Sequence, residues 1–412
     1  MLSVDSSLSF GILLLAAQSL SYAQPERIVV GSVAELQACV DRPAGAPLIC
    51  ALRGSSTPYA VSGTSLTIRR NDTTIEGAPE PGQDPPTLRR TDPALKKMIL
   101  VHKFASNVTI RNLQLDGNSH EIPVKDFQDI SVEGSGVTVE NNHFGNSAYY
   151  CVFFGGPHFT LRNNRFGEFI VNGEKRPAPG IDTAVKAWGP NATQFTVDSN
   201  NIAGYRGAMS ITDAPGGTDP ATAGVISNNT LYHNGTCVPN CGGGQIYLAG
   251  KTTNVKVIGN TIDGGWRESE NRDTVHSYGL EIDKAGYILT RSNKIFNNAI
   301  SGIWIGNGAN HITLENDAVY NNGLNGVQIS GGPRATVSDI SILGLASQHN
   351  DQQRSLSAPY PRLPRYFGVM VQDSGATKDL CIQNDSNLGT NSRGAVYAEG
   401  RYNKGAVCPR PY

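Results

Sequence analysis

No CxxC pair and no His/Cys cluster at zinc-binding spacing occurs in these 412 residues, which excludes the common structural zinc modules. Neither sign of charge prevails: 34 Lys and Arg stand against 35 Asp and Glu, a formal net charge of -1. So balanced a chain has no electrostatic footprint for nucleic acid or an anionic membrane, and neither is expected as a partner. The apolar run from Phe10 to Leu20 is too short to span a bilayer comfortably. Ser21-Tyr22-Ala23 follows it with small residues at a cleavage position, so residues 1–23 read as a secretory signal. No Lys or Arg precedes that run and Asp5 does, which keeps an uncleaved anchor as the alternative. The expected location is secreted or periplasmic, with no membrane contact once the signal is removed.

The cysteines agree with export. Cys39 with Cys50, Cys237 with Cys241 and Cys381 with Cys408 fall into three local pairs, which an oxidising compartment permits. Cys151 is left over in an apolar segment and reads as a buried thiol. Glycine, at 46 residues, exceeds the usual share of about 7% and suits a chain that turns every few residues.

What is present is a repeat. HITLENDAVYNNGLNGVQISGG (311 to 332) places two short alternating segments around an Asn-rich corner and closes on glycine. The same order recurs in GVTVENNHFGN from 136, HFTLRNNRFGEF from 158, QFTVDSNNIAGY from 194, GVISNNTLYHNG from 224, NVKVIGNTIDGG from 254 and YILTRSNKIFNNA from 287. A unit this short cannot bury its own apolar face, so its copies must stack. Aligned on the apolar residue after the corner, the position two before it reads Asn142, Asn164, Asn200, Asn229, Asn260, Asn293 and Asp317. A short amide tolerates left-handed backbone and can bond groups left over at a sharp bend. Stacked copies would let each amide bond the next, as a ladder.

On these V-x-φ-x-N-N-x-φ repeats the chain resembles the right-handed parallel β-helices of the pectate lyase-like superfamily, over roughly Val101 to Tyr397. The implied fold is all-β: a single-stranded right-handed parallel β-helix of about 9–11 coils with an N-terminal capping helix. Ser32-Val33-Ala34-Glu35 forms a capping box for a helix to about Val40. In this superfamily such a helix plugs the first coil, and Cys39–Cys50 would staple it there. The expected organisation is signal peptide 1–23, cap and irregular first coils 24–100, parallel β-helix 101–398 and tail 399–412. Successive corner residues lie 22, 36, 29, 31, 33 and 24 residues apart. A bare rung needs about 22 residues, so the middle coils carry loops longer than the fold requires, and such loops are usually functional or disordered. These insertions (Gly167 to Thr193, Asp213 to Ala223, Gly235 to Gly244 and Gly264 to Ser277) could wall one side of a groove.

The strand after each loop begins with glycine, as in GAMSIT, GQIYLA, GLEIDK, GIWIGN and GVQISG. Alternation buries Leu280, Ile282 and their counterparts. It turns Ser210, Tyr247, Glu281, Asp283, Trp304 and Gln328 outward, with Lys186 and Trp188 one strand upstream. Rungs about 4.8 Å apart would let aromatic rings stack on an extended glycan while acids and amides bond its hydroxyls. Trp188, Tyr247, Trp304, Gln328, Arg267 and His276 are the candidate substrate-binding residues.

Glu281 and Asp283 share a strand face with attachment points about 6.6 Å apart, which fits the wider carboxyl spacing of inverting glycosidases. Glu281, Asp283, Lys186 and Arg206 are the candidate catalytic residues. A lyase or epimerase would instead need a cation or calcium against a uronate carboxylate and a base such as Lys186, Arg206, Tyr247, Arg267, Arg272, His276 or Lys284. Tyr278-Gly279-Leu280-Glu281 is similar in part to the Tyr-Gly-aromatic-Asp signature of uronan epimerases, but the following Pro-His and Asp are missing. The paired-Asp, Gly-His-Gly and Arg-Ile-Lys motifs of polygalacturonases and the Trp-x-Asp-His motif of pectate lyases are also absent. The expectation is therefore a secreted carbohydrate-active enzyme acting on a polysaccharide, hydrolysis ahead of elimination, without metal or cofactor unless calcium serves a lyase. The alternative is a non-catalytic glycan-binding or cell-surface β-helix. Sugar, linkage and oligomeric state stay open.

Overall fold

The computed structural model describes residues 24–122, 126–147, 149–171, 174–176, 183–216, 219, 222–234, 244–265, 278–331, 335–350, 366–372, 377–384, 386–399, 402–405 and 407–409. The 1–23 segment, Cys237 with Cys241, Arg267, Arg272, His276 and most of the long inserted loops lie outside them. Among the described residues no helix is long and apolar enough to cross a membrane.

The chain coils into a parallel β-helix whose three long sheets carry 14, 11 and 12 strands. Each coil holds three strands where the repeat suggested two. In the coil that starts the 311–332 unit these are Asn310–Glu315, Ala318–Tyr320 and Val327–Ser330. The strand missed from sequence is the middle one, commonly three residues with a single inward side chain (Phe144, Phe166, Ile202, Leu231, Ile262, Ile295, Val319), too short to show alternation. Strands beyond the expected 9–11 coils lie at the irregular ends. Inward residues stack in register: Val152, Val185, Met209, Ile246, Leu280, Ile303, Val327 and Val369 form one row of the third sheet. All of them are fully buried.

The first corner is two residues long. Asn141, Asn163, Ser199, Asn228, Ser292 and Asn316 hold φ of 54 to 56° there, and Gly259 holds 65°. Left-handed backbone of this kind is tolerated by Asn and Gly far better than by bulky residues. The residue after each is the predicted ladder position. The backbone N–H and side-chain amide of Asn164 both donate to Oδ1 of Asn200, each at 3.0 Å. The pattern continues through Asn229, Asn260 and Asn293 to Asp317. Each amide also donates to a carbonyl of the preceding coil, as Asn229 does to Val197 at 2.9 Å. The sharp bend thus leaves no buried amide unpaired.

A second ladder, not read from the sequence, lines the next corner: Asn298, Asn322, Asn350 and Asn391, again each after a positive-φ residue. The coil turning through Gly264-Gly265 has no asparagine in that place. Buried Gln245 fills the gap, accepting from Asn234 at 3.2 Å and donating to Asn298 at 3.0 Å.

At the N-terminal end the helix Val33–Val40 buries Leu36, Cys39 and Val40, and Ser32 caps it by accepting from the Glu35 N–H at 3.1 Å. Glu35 reaches back to the N–H of Gly31, one residue before the cap. Cys39–Cys50 and Cys381–Cys408 are bonded. Cys151 is a buried free thiol 3.1 Å from the Tyr205 hydroxyl.

Asp317 is the one carboxyl in the first ladder. Its Oδ1 accepts twice from Asn293, and its other oxygen bonds the Thr290 hydroxyl. Burial raises its pKa to about 6, against those hydrogen bonds. The folded state therefore holds this proton more tightly than the unfolded chain, and stability should fall as pH rises from about 4 to 6. Asp317→Asn keeps the ladder and removes the charge. Thermal denaturation should show the variant more stable than wild type at pH 8, by up to about 3 kcal/mol, with the difference vanishing near pH 4.

Candidate functional site

Parallel register fixes two outward rows on the third sheet. The first runs Phe153, Lys186, Ser210, Tyr247, Glu281, Trp304, Gln328. The second runs Trp188, Thr212, Ala249, Asp283, Gly306, Ser330. Glu281 and Asp283 meet this frame on the strand Tyr278–Asp283, whose burial alternates with inward Leu280 and Ile282. The two carboxyls are thus adjacent across the rows, as the sequence implied.

Their surroundings differ. One oxygen of Glu281, Oε2, is buried without a hydrogen-bond partner among the described residues. Burial first, and the neighbouring Asp283 charge second, push the Glu281 pKa up to about 7, while the Gly244 N–H bonded to its carboxyl pulls the other way. Asp283 is held at both oxygens: the Tyr247 hydroxyl donates to Oδ2 at 2.9 Å and the Asn307 amide donates to Oδ1 at 2.9 Å. A carboxyl that keeps its proton near neutrality therefore sits beside one oriented by two donors. Pairs whose environments push their proton affinities apart are what acid–base work requires.

The other predicted residues divide. Tyr247 serves Asp283 directly, and burial together with both acids raises its own pKa well above that of a free phenol. Trp304 lies next to Glu281 with its ring stacked on Tyr278 at 5.8 Å between centroids. Trp188 is 58% exposed on the second row. Lys186 donates to the hydroxyls of Ser210 and Thr212, both at 2.8 Å, which places its ammonium over the strand two ahead of the acids. Arg206 lies in the bend just ahead of the strand Gly207–Thr212, off both rows, and has a partner of its own. Gln328 departs from expectation: it is 3% exposed, bonded to the hydroxyls of Ser301 and Ser330, and offers no surface to a ligand. Ser210 is likewise buried under the Lys186 contact. Arg267 and His276 fall outside the described residues.

Three contributors were not read from the sequence. Asn307 follows its strand at φ 53°, a left-handed position that favours Asn, Asp or glycine, so its identity alone gave a weak signal for its role toward Asp283. Tyr278 supports Trp304 from the head of the Glu281 strand. Gly244, which the sequence marks as the glycine opening its strand, is the third: a Cβ there would come within 2.9 Å of the Glu281 Cβ and backbone nitrogen, so glycine alone lets this N–H approach the carboxyl.

With the geometry in place, comparison with known proteins agrees on the fold. The family model described as a right handed beta helix region matches residues 184–344. No curated protein sequence matches the chain. Among solved structures, the chain is similar to the Dettilon tailspike protein, with TM-score 0.58 and 14% identity over 89% of this chain and 64% of that one, so it spans under two thirds of the tailspike's length. It is similar to a mannuronic acid-specific polysaccharide family 6 lyase from human gut microbiota, with TM-score 0.54 and 12% identity over 91% and 87% of the two chains. DFA-IIIase from Arthrobacter chlorophenolicus A6 in complex with GF2 gives TM-score 0.53 and 10% identity over 90% and 93%. The chain is a right-handed parallel β-helix, the fold it shares with these structures.

Carboxyl titration followed by carbon NMR should show one midpoint near 7 that disappears in Glu281→Gln. Asp283→Asn should lower that midpoint by about one pH unit, because a like charge is removed. Gly244→Ala should raise it, because the N–H bond is lost. An ordinary carboxylate midpoint in all three proteins would remove Glu281 from consideration.

Proposed function

We propose that the protein is a secreted carbohydrate-active enzyme that hydrolyses a polysaccharide lying on its third sheet, with Glu281 as general acid and Asp283 as general base. The observation that carries this reading is the asymmetry of the pair: Glu281 keeps its proton to about pH 7 while Asp283 is fixed by Tyr247 and Asn307. Glu281 gives its proton to the glycosidic oxygen as the C–O bond breaks. Asp283 takes a proton from the water that attacks the anomeric carbon from the opposite side. Glu281 ends ionised and Asp283 protonated, and exchange with solvent resets them. Attachment points about 6.6 Å apart suit this inverting course. As proposed, the reaction draws on side chains alone and asks for no metal or cofactor.

Elimination, the chemistry named for the family 6 lyase, has less support. It would require a base to take a proton from the sugar, and of the candidate bases on the two rows Tyr247 is held as a phenol by burial and the two acids while Lys186 donates to two hydroxyls. Export is supported by the two disulfides among the described residues, since such bonds persist in oxidising compartments.

Purified protein on a panel of neutral and uronate-containing glycans should generate reducing ends without the absorbance of unsaturated products. Glu281→Gln and Asp283→Asn should each lower the rate by about 10² to 10⁴. Activity should decline as pH rises past about 7, where Glu281 loses its proton. Wild-type rates in both variants would place the chemistry elsewhere, and unsaturated products would replace hydrolysis with elimination. Binding without cleavage throughout would leave a glycan-binding module.

A further inference from the structure

The third sheet does not end at the acid pair. In the row of Asp283, three strands toward the N-terminus lead through the small side chains of Ala249 and Thr212 to Trp188, whose indole is 58% exposed. In the other direction the row continues with Gly306, Ser330 and Gln372. Gly306 is required there for a particular reason. A Cβ on it would fall 2.2 Å from Cζ2 and 2.4 Å from Cη2 of Trp304, so the benzo edge of that indole occupies the space a side chain would take. Trp304 is attached in the Glu281 row but extends along its own strand into the Asp283 row, one rung past the acids, and Tyr278 backs it.

An aromatic ring therefore lies on each side of the acid pair along the axis of the solenoid: Trp188 three rungs before and Trp304 one rung after. Four rungs span about 19 Å, and each rung is close to the length of one sugar residue in an extended glycan. Between Trp188 and Asp283 the described side chains of that row are Thr212, to which the Lys186 ammonium donates, and Ala249, with Tyr247 in the row beside them. An enzyme that trims chain ends closes its cleft within a residue or two of the catalytic pair, whereas here the row of Asp283 runs on past Trp304 through Ser330 and Gln372. This one supplies stacking surfaces both upstream and downstream of it.

We infer that the substrate is a polymer crossing the acid pair, with at least three residues on the Trp188 side and one or more on the Trp304 side, and that it is cut internally. This rests on the hydrolytic reading of Glu281 and Asp283. Its closing test separates the two. Sodium alginate, polygalacturonate and inulin serve as polymer probes, together with size-fractionated oligomers of two to eight residues from each. On the probe that is cleaved, chain length should fall early, before mono- or disaccharide accumulates. In Trp188→Ala the ratio of kcat/KM for the octamer to that for the trimer should drop about 5- to 10-fold. The exposed Val29→Ala, on the first sheet and away from both rows, should keep the wild-type ratio. Steady release of small sugars from a polymer of undiminished length, or an unchanged ratio in Trp188→Ala, would overturn internal cleavage and leave the hydrolase reading standing. No cleavage of any probe, with no length-dependent binding by Glu281→Gln, would remove both.

Discussion

The amide-to-amide hydrogen bond at the first corner is the constraint from which the rest follows. A two-residue bend between strands needs one residue in left-handed backbone and strands the polar groups of the next. An Asn at that next position satisfies its own coil and the neighbouring one together. Because the bond runs from coil to coil, it fixes register as well as turn geometry. A slip of one residue would break every rung of the ladder and reverse the faces of every strand. That fixed register is why Glu281, Tyr247 and Trp304 stand in one line and Asp283, Ala249 and Gly306 in the next. The chemistry of the groove is inherited from the corner.

Much of this could be read directly from the residues, because the strongest signals are local. The Asn positions, inward alternation in GLEIDK and GIWIGN, the Ser32 cap and the cysteine spacings each declare themselves within a few residues. What escaped was non-local or interrupted. The middle strand of each coil is too short to show a period. The second ladder is hidden because His233, His349 and Thr390 hold its left-handed positions in place of Asn or Gly, and because one coil lacks its amide altogether. The burial of Gln328 could not be foreseen, since alternation says which face a side chain leaves from and not what covers it. Gly244 looks in sequence like every other glycine that opens a strand of this sheet, and only the next coil brings a carboxyl to its N–H.

The two acids illustrate how one scaffold differentiates identical chemistry. They lie two residues apart on one strand, yet one loses solvent and gains a like-charged neighbour while the other gains two donors. The difference comes from the adjacent strands, not their own: Gly244 and Tyr247 precede them by one coil, and Asn307 follows by one. A solenoid makes such sharing natural, because every site on its surface is built by at least three consecutive turns of chain.

Gln245 gives that sharing a mechanical side. Stacked coils usually behave as a string of nearest-neighbour units that can fray one at a time. By bonding Asn234 on one side and Asn298 on the other, Gln245 skips over the turn that has no amide of its own and ties together coils that are not neighbours. Peeling the stack from either end must therefore break this clasp and the turn it straddles together. The coil bearing the acid pair is the one this clasp straddles, so unravelling from either tip meets the clasp before it reaches the acids.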